Sequence, residues 1–159
     1  MIVLIEGVDG SGKTTLCNQL RFEGYIPINI PQDEAQYVEY VIHANDSLVY
    51  ISDRSFLSDL VYRLEDGKER TGMDLYSMSE IFNRNVKVIF CHSPTAYLDS
   101  MKRGEDNITS KPRSDAINHL YNIVYRMLKT FTNVPVMDYN WKSDKLSDVI
   151  KFIEGGNEK

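Results

Sequence analysis

Two cysteines, five prolines and one tryptophan in 159 residues leave little to staple or stiffen this chain. Cys17 falls on the helix after a glycine-rich loop and Cys91 near a strand end, so free buried thiols are expected rather than a disulfide. That fits a reducing, cytoplasmic setting. No apolar run approaches the ~20 residues of a membrane span, which excludes a transmembrane helix. Met1 leads directly into a core strand, so no signal peptide is expected. Positive charge is the scarcer sign: 18 Lys and Arg against 23 Asp and Glu give a net charge of −5. This argues against broad nonspecific binding to nucleic acid, while a local basic groove stays open. Internal repeats and low-complexity tracts are absent, and the length suits one domain, residues 1–159, with a real core.

The chemistry is concentrated at the start. Ile2-Val3-Leu4-Ile5 reads as a short buried strand and feeds Gly7-Val8-Asp9-Gly10-Ser11-Gly12-Lys13-Thr14. The segment fits G-x-x-x-x-G-K-[ST], a phosphate-binding loop, in the strand–turn–helix context that the motif requires. Glycines at 7, 10 and 12 let successive N–H groups turn inward on a polyphosphate, and the following helix N-terminus adds partial positive charge. Lys13 is placed to bridge the β- and γ-phosphates of ATP, and the Thr14 hydroxyl to ligate Mg²⁺.

Five short apolar runs read as strands: Ile2–Ile5, Tyr25–Ile30, Leu48–Ile51, Val86–Cys91 and Val134–Met137. Pro27 places the second at a sheet edge. Helices are expected between them: Lys13–Phe22 ended by Gly24, then Gln32–Asn45, then one whose core face is Phe56, Leu57, Leu60, Val61 and Leu64. Asp74–Asn83, Pro94–Arg103 and Ser143–Ile153 follow the same logic. A long helix capped by Ser114 carries Ala116, Ile117, Leu120, Ile123, Val124, Met127, Leu128 and Phe131 at core spacing. This alternation predicts an α/β fold with a parallel sheet covered on both faces. Ligands then bind at the carboxyl ends of the strands, where the phosphate loop, Asp53-Arg54 and Asp138-Tyr139 lie.

Asp53 is a carboxylate suited to hold a Mg²⁺-bound water, and Arg54 a guanidinium suited to clamp a phosphate bidentately. Gly104–Pro112 interrupts the pattern and reads as a short lid at about 103–113, bringing Arg103 and Arg113, with Lys102 and Lys111, over the phosphates. Asp9, Glu6 and Asp33 are candidates to accept or hold an acceptor hydroxyl. His43, His92 and His119 lack metal spacing and read as structural, while Tyr37 and Tyr40 are candidates to stack on an acceptor base.

The stretch Glu6 to Thr15 resembles the thymidylate kinase version of the phosphate loop. Asp53-Arg54-Ser55 with Ser58-Asp59-Leu60-Val61-Tyr62 is similar to that family's Asp-Arg segment, and Ser93-Pro94-Thr95 through Arg103 to its strand–helix–lid passage. The resemblance implies a three-layer α/β/α P-loop kinase fold whose five-stranded parallel sheet runs 2-3-1-4-5. It also implies ATP and Mg²⁺, catalytic roles for Lys13, Asp9, Arg54, Arg103 and Asp53, and metal ligation by Thr14 and Asp53. Gly7, Asp9, Gly10, Ser11, Gly12, Lys13, Thr14 and Thr15 would hold the nucleotide with Arg103 and Arg113, and Asp138-Tyr139-Asn140 would lie near the adenine. Gln32–Asn45 contains no arginine, so a second acceptor-phosphate clamp is missing there. Deoxynucleoside kinases share the glutamate before the loop and an acidic-Arg-Ser segment, and polynucleotide kinases accept bulkier acceptors, with Asp33 as the base in that case. Three readings therefore stand. The first is a (deoxy)nucleoside monophosphate kinase, the second a kinase acting on a hydroxyl of a nucleoside, DNA or RNA. The third, a nucleotide-dependent switch or hydrolase, lacks the Asn-Lys-x-Asp of guanine readers. The expected partner is a small nucleotide or nucleoside, with nucleic acid as the alternative and no membrane; oligomeric state stays open, a homodimer included.

Overall fold

The sheet predicted from alternating apolar runs is present in the computed structural model, which describes residues 1–28, 47–67, 85–104 and 110–155. In chain order the elements are β1 (Ile2–Glu6), α1 (Lys13–Phe22), β2 (Ile26–Ile28), β3 (Tyr50–Asp53), α2 (Phe56–Glu65), β4 (Val86–Cys91), α3 (Ala96–Lys102), α4 (Lys111–Phe131), β5 (Val136–Tyr139) and α5 (Leu146–Glu154). The strands lie in the order β2-β3-β1-β4-β5 and every pair is parallel.

Successive side chains of a strand point to opposite faces, and β1 is apolar on both. Ile2 and Leu4 join Phe56, Leu57 and Val61 of α2 and Ile117, Val124 and Leu128 of α4. Val3 and Ile5 join Leu16 and Leu20 of α1 and Val149 and Ile153 of α5. Helices thus cover both sheet faces, giving the three α/β/α layers. The amino end of the sheet is closed by Lys87 of β4. Its buried ammonium donates to the carbonyls of Phe152 (2.6 Å), Ile153 (3.0 Å) and Gly155 (2.5 Å), where α5 ends and a cation complements the helix dipole. Among the described residues no helix is long and apolar enough to cross a membrane, and Cys17 and Cys91 are free.

Several boundaries differ from the sequence reading, each for a tertiary reason. β3 starts at Tyr50 rather than Leu48, because pairing with β1 begins at Ile2↔Tyr50; Leu48 precedes the ladder and is 41% exposed. β5 is shifted to Val136–Tyr139 by its register with β4, which puts Asp138 and Tyr139 inside the strand. The cap of α4 is Ser110, whose hydroxyl accepts the Arg113 N–H at 3.3 Å, and Pro112 sits in the first turn where its missing donor costs nothing. Ser114 is instead buried within that helix. Residues 111–113 of the expected lid are therefore the first turn of a helix. The apolar stripe of α4 is also narrower than expected: Ile117, Tyr121, Val124 and Leu128 are buried, whereas Ile123, Met127 and Phe131 are 41%, 44% and 80% exposed. Ala116 is exposed too, and Leu64 of α2 is only partly buried. The expected helices Gln32–Asn45 and Asp74–Asn83, lid residues 105–109, and Asp33, Tyr37, Tyr40 and His43 lie outside the described residues.

Candidate active site

β1 carries the chain to the middle of the sheet and releases it at Glu6, between β3 and β4. The loop that follows packs against α3 so closely that a β-carbon on Gly10 would lie 1.9 Å from the Ala96 carbonyl oxygen. Only glycine lets the backbone approach that near. The loop closes with the Ser11 N–H on the Val8 carbonyl at 3.1 Å, and Gly12 opens α1 without any side-chain cap. An uncapped helix N-terminus presents orphan N–H donors and suits a phosphate. Two polar atoms of the loop, Asp9 Oδ2 and Ser11 Oγ, are buried with no partner, an arrangement that a ligand normally completes.

Lys13, the first residue of α1, is buried. Its ammonium donates to the Val8 carbonyl at 3.0 Å and lies 3.9 Å from Asp9 Oδ1. Burial, and then the nearby Arg54, push its pKa below the ordinary lysine value, while Asp9 and Asp53 oppose that shift. The Thr14 hydroxyl donates to Asp53 Oδ2 at 3.0 Å, across from the last residue of β3, and both side chains are exposed. Among the described residues no cluster of three metal-ligating side chains exists. A hydroxyl and a carboxylate nevertheless fit Mg²⁺, which favours hard oxygen donors, keeps several waters and shares phosphate oxygens. Thr15 is exposed on the same first turn, and Gly7 turns the chain off β1 against the Cys91 carbonyl.

Arg54 follows Asp53 directly and has φ +76°, which no other non-glycine among the described residues shares in the left-handed region. Its N–H donates to the Ile5 carbonyl at 2.9 Å. From there its guanidinium donates to Asp9 Oδ1 and lies 5.5 Å from the centre of the Tyr62 ring. Burial disfavours the charge, but Asp9 and then Tyr62 overcome it and keep the guanidinium protonated. Glu6 is wholly buried at the end of β1. Its carboxylate accepts the hydroxyls of Ser55, at Oε1, and of Ser58, at Oε2 and 2.5 Å. Burial lifts its pKa to about 7, against the lowering by those hydroxyls, Lys13 and Arg54. Both oxygens of Glu6, a candidate from sequence to serve an acceptor, are thus engaged by hydroxyls of the fold.

The structure brings together Gly7 through Thr15, Asp53 and Arg54. Asp138 lies on the same carboxyl edge, where its Oδ2 is 3.2 Å from His92 Nε2. Tyr139, also expected near a base, is instead packed in the core on the α1/α5 side, because the shifted register makes it the last strand residue; only its carbonyl faces His92, accepting that N–H at 2.9 Å. Arg103 ends α3 and is exposed. Arg113, the other expected lid cation, pairs with the end of α2: its Nε and Nη2 reach Glu65 Oε2 at 3.0 and 2.9 Å, and Nη2 reaches Asp66 at 3.3 Å. The sequence reading missed Trp141, whose indole lies against Gly12, and Lys142, which bridges to Asp99 at 2.8 Å and to the Thr95 hydroxyl. A lone tryptophan just beyond the last strand's carboxyl end was the available signal. It also missed Ser55 and Ser58 as partners of Glu6, and Tyr121 as the partner of Ser58.

No protein-family model matches this sequence, and no curated protein matches it either. Solved structures do. The YorR protein of Bacillus subtilis, in complex with phosphorylated GDP, superposes with a TM-score of 0.67 at 22% identity, over 97% of this chain and 96% of that chain. Deoxyadenosine kinase from M. mycoides with bound dATP gives 0.64 at 16% identity, over 96% and 97%. Polyphosphate kinase 2 from Arthrobacter aurescens TC1 gives 0.63 at 12%, over 95% of this chain and 64% of that one. At these identities the likeness establishes a shared fold alone, which in this chain is a five-stranded parallel sheet in the order 2-3-1-4-5.

Proposed function

We propose that this chain is an ATP- and Mg²⁺-dependent phosphotransferase acting on a small nucleotide-type acceptor, and within that class a (deoxy)nucleoside monophosphate kinase. The observation that carries the reading is the convergence of Lys13, the Thr14–Asp53 pair and Arg54 on one carboxyl edge, beside an uncapped helix N-terminus. Phosphoryl transfer needs charge neutralisation and alignment rather than covalent chemistry from the protein, and this edge is built from such groups. The N–H groups opening α1 and the Lys13 ammonium hold the donor phosphates. Thr14 and Asp53 would hold Mg²⁺, which when bound neutralises phosphate charge and orients the chain of phosphates. Arg54 clamps the acceptor phosphate, and Asp9, which already aligns that guanidinium, has its free Oδ2 for an acceptor hydroxyl. Arg103 at the end of α3 is the proposed lid cation.

A second reading, transfer to a deoxynucleoside hydroxyl, is favoured by the likeness to deoxyadenosine kinase along nearly the whole of both chains. Radiolabelled ATP offered with nucleosides, monophosphates and oligonucleotides tests the class, and Arg54→Ala separates the readings. With a monophosphate acceptor the substitution raises the acceptor KM, lowers kcat and leaves the KM for ATP unchanged. With a hydroxyl acceptor it lowers kcat alone. Absence of transfer to any of these acceptors removes the proposal.

A further inference from the structure

The polar atoms behind Arg54 form a directed chain. The Tyr121 Oη lies 2.8 Å from Ser58 Oγ, Ser58 donates to Glu6 Oε2, and Ser55 donates to Glu6 Oε1. Ser55 in turn accepts the Leu57 N–H at 3.1 Å as the N-cap of α2. Ionised, Glu6 accepts only, so both serine hydroxyls then point their protons at it, which leaves their lone pairs for Leu57 and Tyr121. Each hydroxyl is thereby committed. Ser55 is also the residue after Arg54, whose left-handed backbone is costly for a side chain with a β-carbon. Such a conformation persists only where its surroundings over-determine it. On one side the Arg54 N–H is tied to Ile5 and its carbonyl accepts the Ser52 hydroxyl. On the other, Ser55 is fixed by Glu6 and by its own helix.

We propose that Glu6 is a positioning residue, which through the Ser55 hydroxyl holds Arg54 in its left-handed conformation and sets its guanidinium across Asp9. The inference rests on the phosphotransferase reading for its effect on turnover, but not for its structural content. Both Glu6 oxygens are taken up by serine hydroxyls, so Glu6 acts by fixing Arg54 rather than by touching the acceptor itself.

The test uses the full chain labelled with ¹⁵N. The Arg54 Nε–H signal is identified by its loss in Arg54→Ala, and in wild type it stands apart from the exposed arginines. In Glu6→Gln, which keeps the shape but cannot hold two hydroxyl donors on equal terms, that signal is expected to collapse onto the exposed set. An unchanged Arg54 signal in folded Glu6→Gln overturns the proposal. Should Glu6→Gln fail to fold, Ser55→Ala takes its place and is expected to give the same collapse, with Ser55→Thr restoring the wild-type signal; no collapse in Ser55→Ala, or no restoration by Ser55→Thr, likewise overturns it. In the transfer assay Glu6→Gln is expected to lower kcat/KM for the acceptor about 10–100-fold, the scale of a small misplacement, with the KM for ATP unchanged. In an Arg54→Ala background it is expected to cost nothing more, and additive losses overturn the route through Arg54. Inactive wild type would remove the phosphotransferase reading while the ¹⁵N signal still decides the role of Glu6.

Discussion

Lys87 and Lys13 are both buried lysines on this sheet, and both have their pKa pushed down by burial. At the amino end, Lys87 donates to three carbonyls at the end of α5, one for each ammonium proton. At the carboxyl end, Lys13 has one carbonyl, a carboxylate 3.9 Å away, and two unpartnered loop atoms close by in Asp9 and Ser11. A fully satisfied buried charge holds structure together; an incompletely satisfied one keeps donor capacity for a further partner. The two ends of one sheet thus divide stability from chemistry.

The sharpest way to break this contrast is to remove each cation in turn. Lys13→Ala is expected to lower phosphoryl transfer about 10³-fold, roughly 4 kcal/mol of barrier, while circular dichroism and melting temperature stay near wild type. Normal turnover in that variant would end the kinase reading. Lys87→Met is the mirror case. Leaving three carbonyls short of a donor is expected to cost about 2–3 kcal/mol in urea unfolding, with kcat unchanged below the transition. A loss of kcat there would mean that the ends of the sheet are coupled.

Glu6 offers a finer distinction, because its burial serves the site at the expense of stability. Lys13 on α1 and Arg54 before α2 face it with positive charge, and Tyr121 of α4 and Cys91 of β4 also lie in its field. Its folded-state pKa is lifted from 4.5 to about 7. Between those values the folded chain retains a proton that the unfolded chain has released, so stability falls as pH rises through this window, by about 3 kcal/mol in full. Glu6→Gln carries no such proton. Its melting temperature relative to wild type is therefore expected to climb from about pH 5 to about pH 8, and a pH-independent difference would show that Glu6 titrates normally. The smallest effect belongs to Tyr121→Phe, which removes one neutral hydroxyl from Ser58 and is expected to cost about 1 kcal/mol by urea unfolding. A cost several times larger would mean that Tyr121, rather than Ser55, anchors the network.

The phosphate loop, the five strands and their parallel arrangement were legible because they rest on local rules. Glycine spacing, a lysine followed by threonine, and apolar runs bounded by turns each carry their meaning within a few residues. The meeting of Asp53 with Thr14 followed from Asp53 ending β3 and Thr14 lying in the first turn of α1 at the same edge of the sheet. Tertiary structure decided what depends on register and on neighbours distant in sequence. Pairing with β4 moved β5 by two residues and turned Tyr139 into the core; α4 lies on one flat face, so Ile123 and Phe131 stay exposed though their spacing matched a core stripe. Arg113 read as a lid cation among charged neighbours, and only the fold supplied its partners Glu65 and Asp66, remote in the chain. Nothing in the spacing around Glu6 announced that Ser55 and Ser58 would fill both its oxygens, with Tyr121 of α4 behind Ser58. Sequence spacing states which groups a chain possesses; only packing determines which of them have their hydrogen bonds already filled.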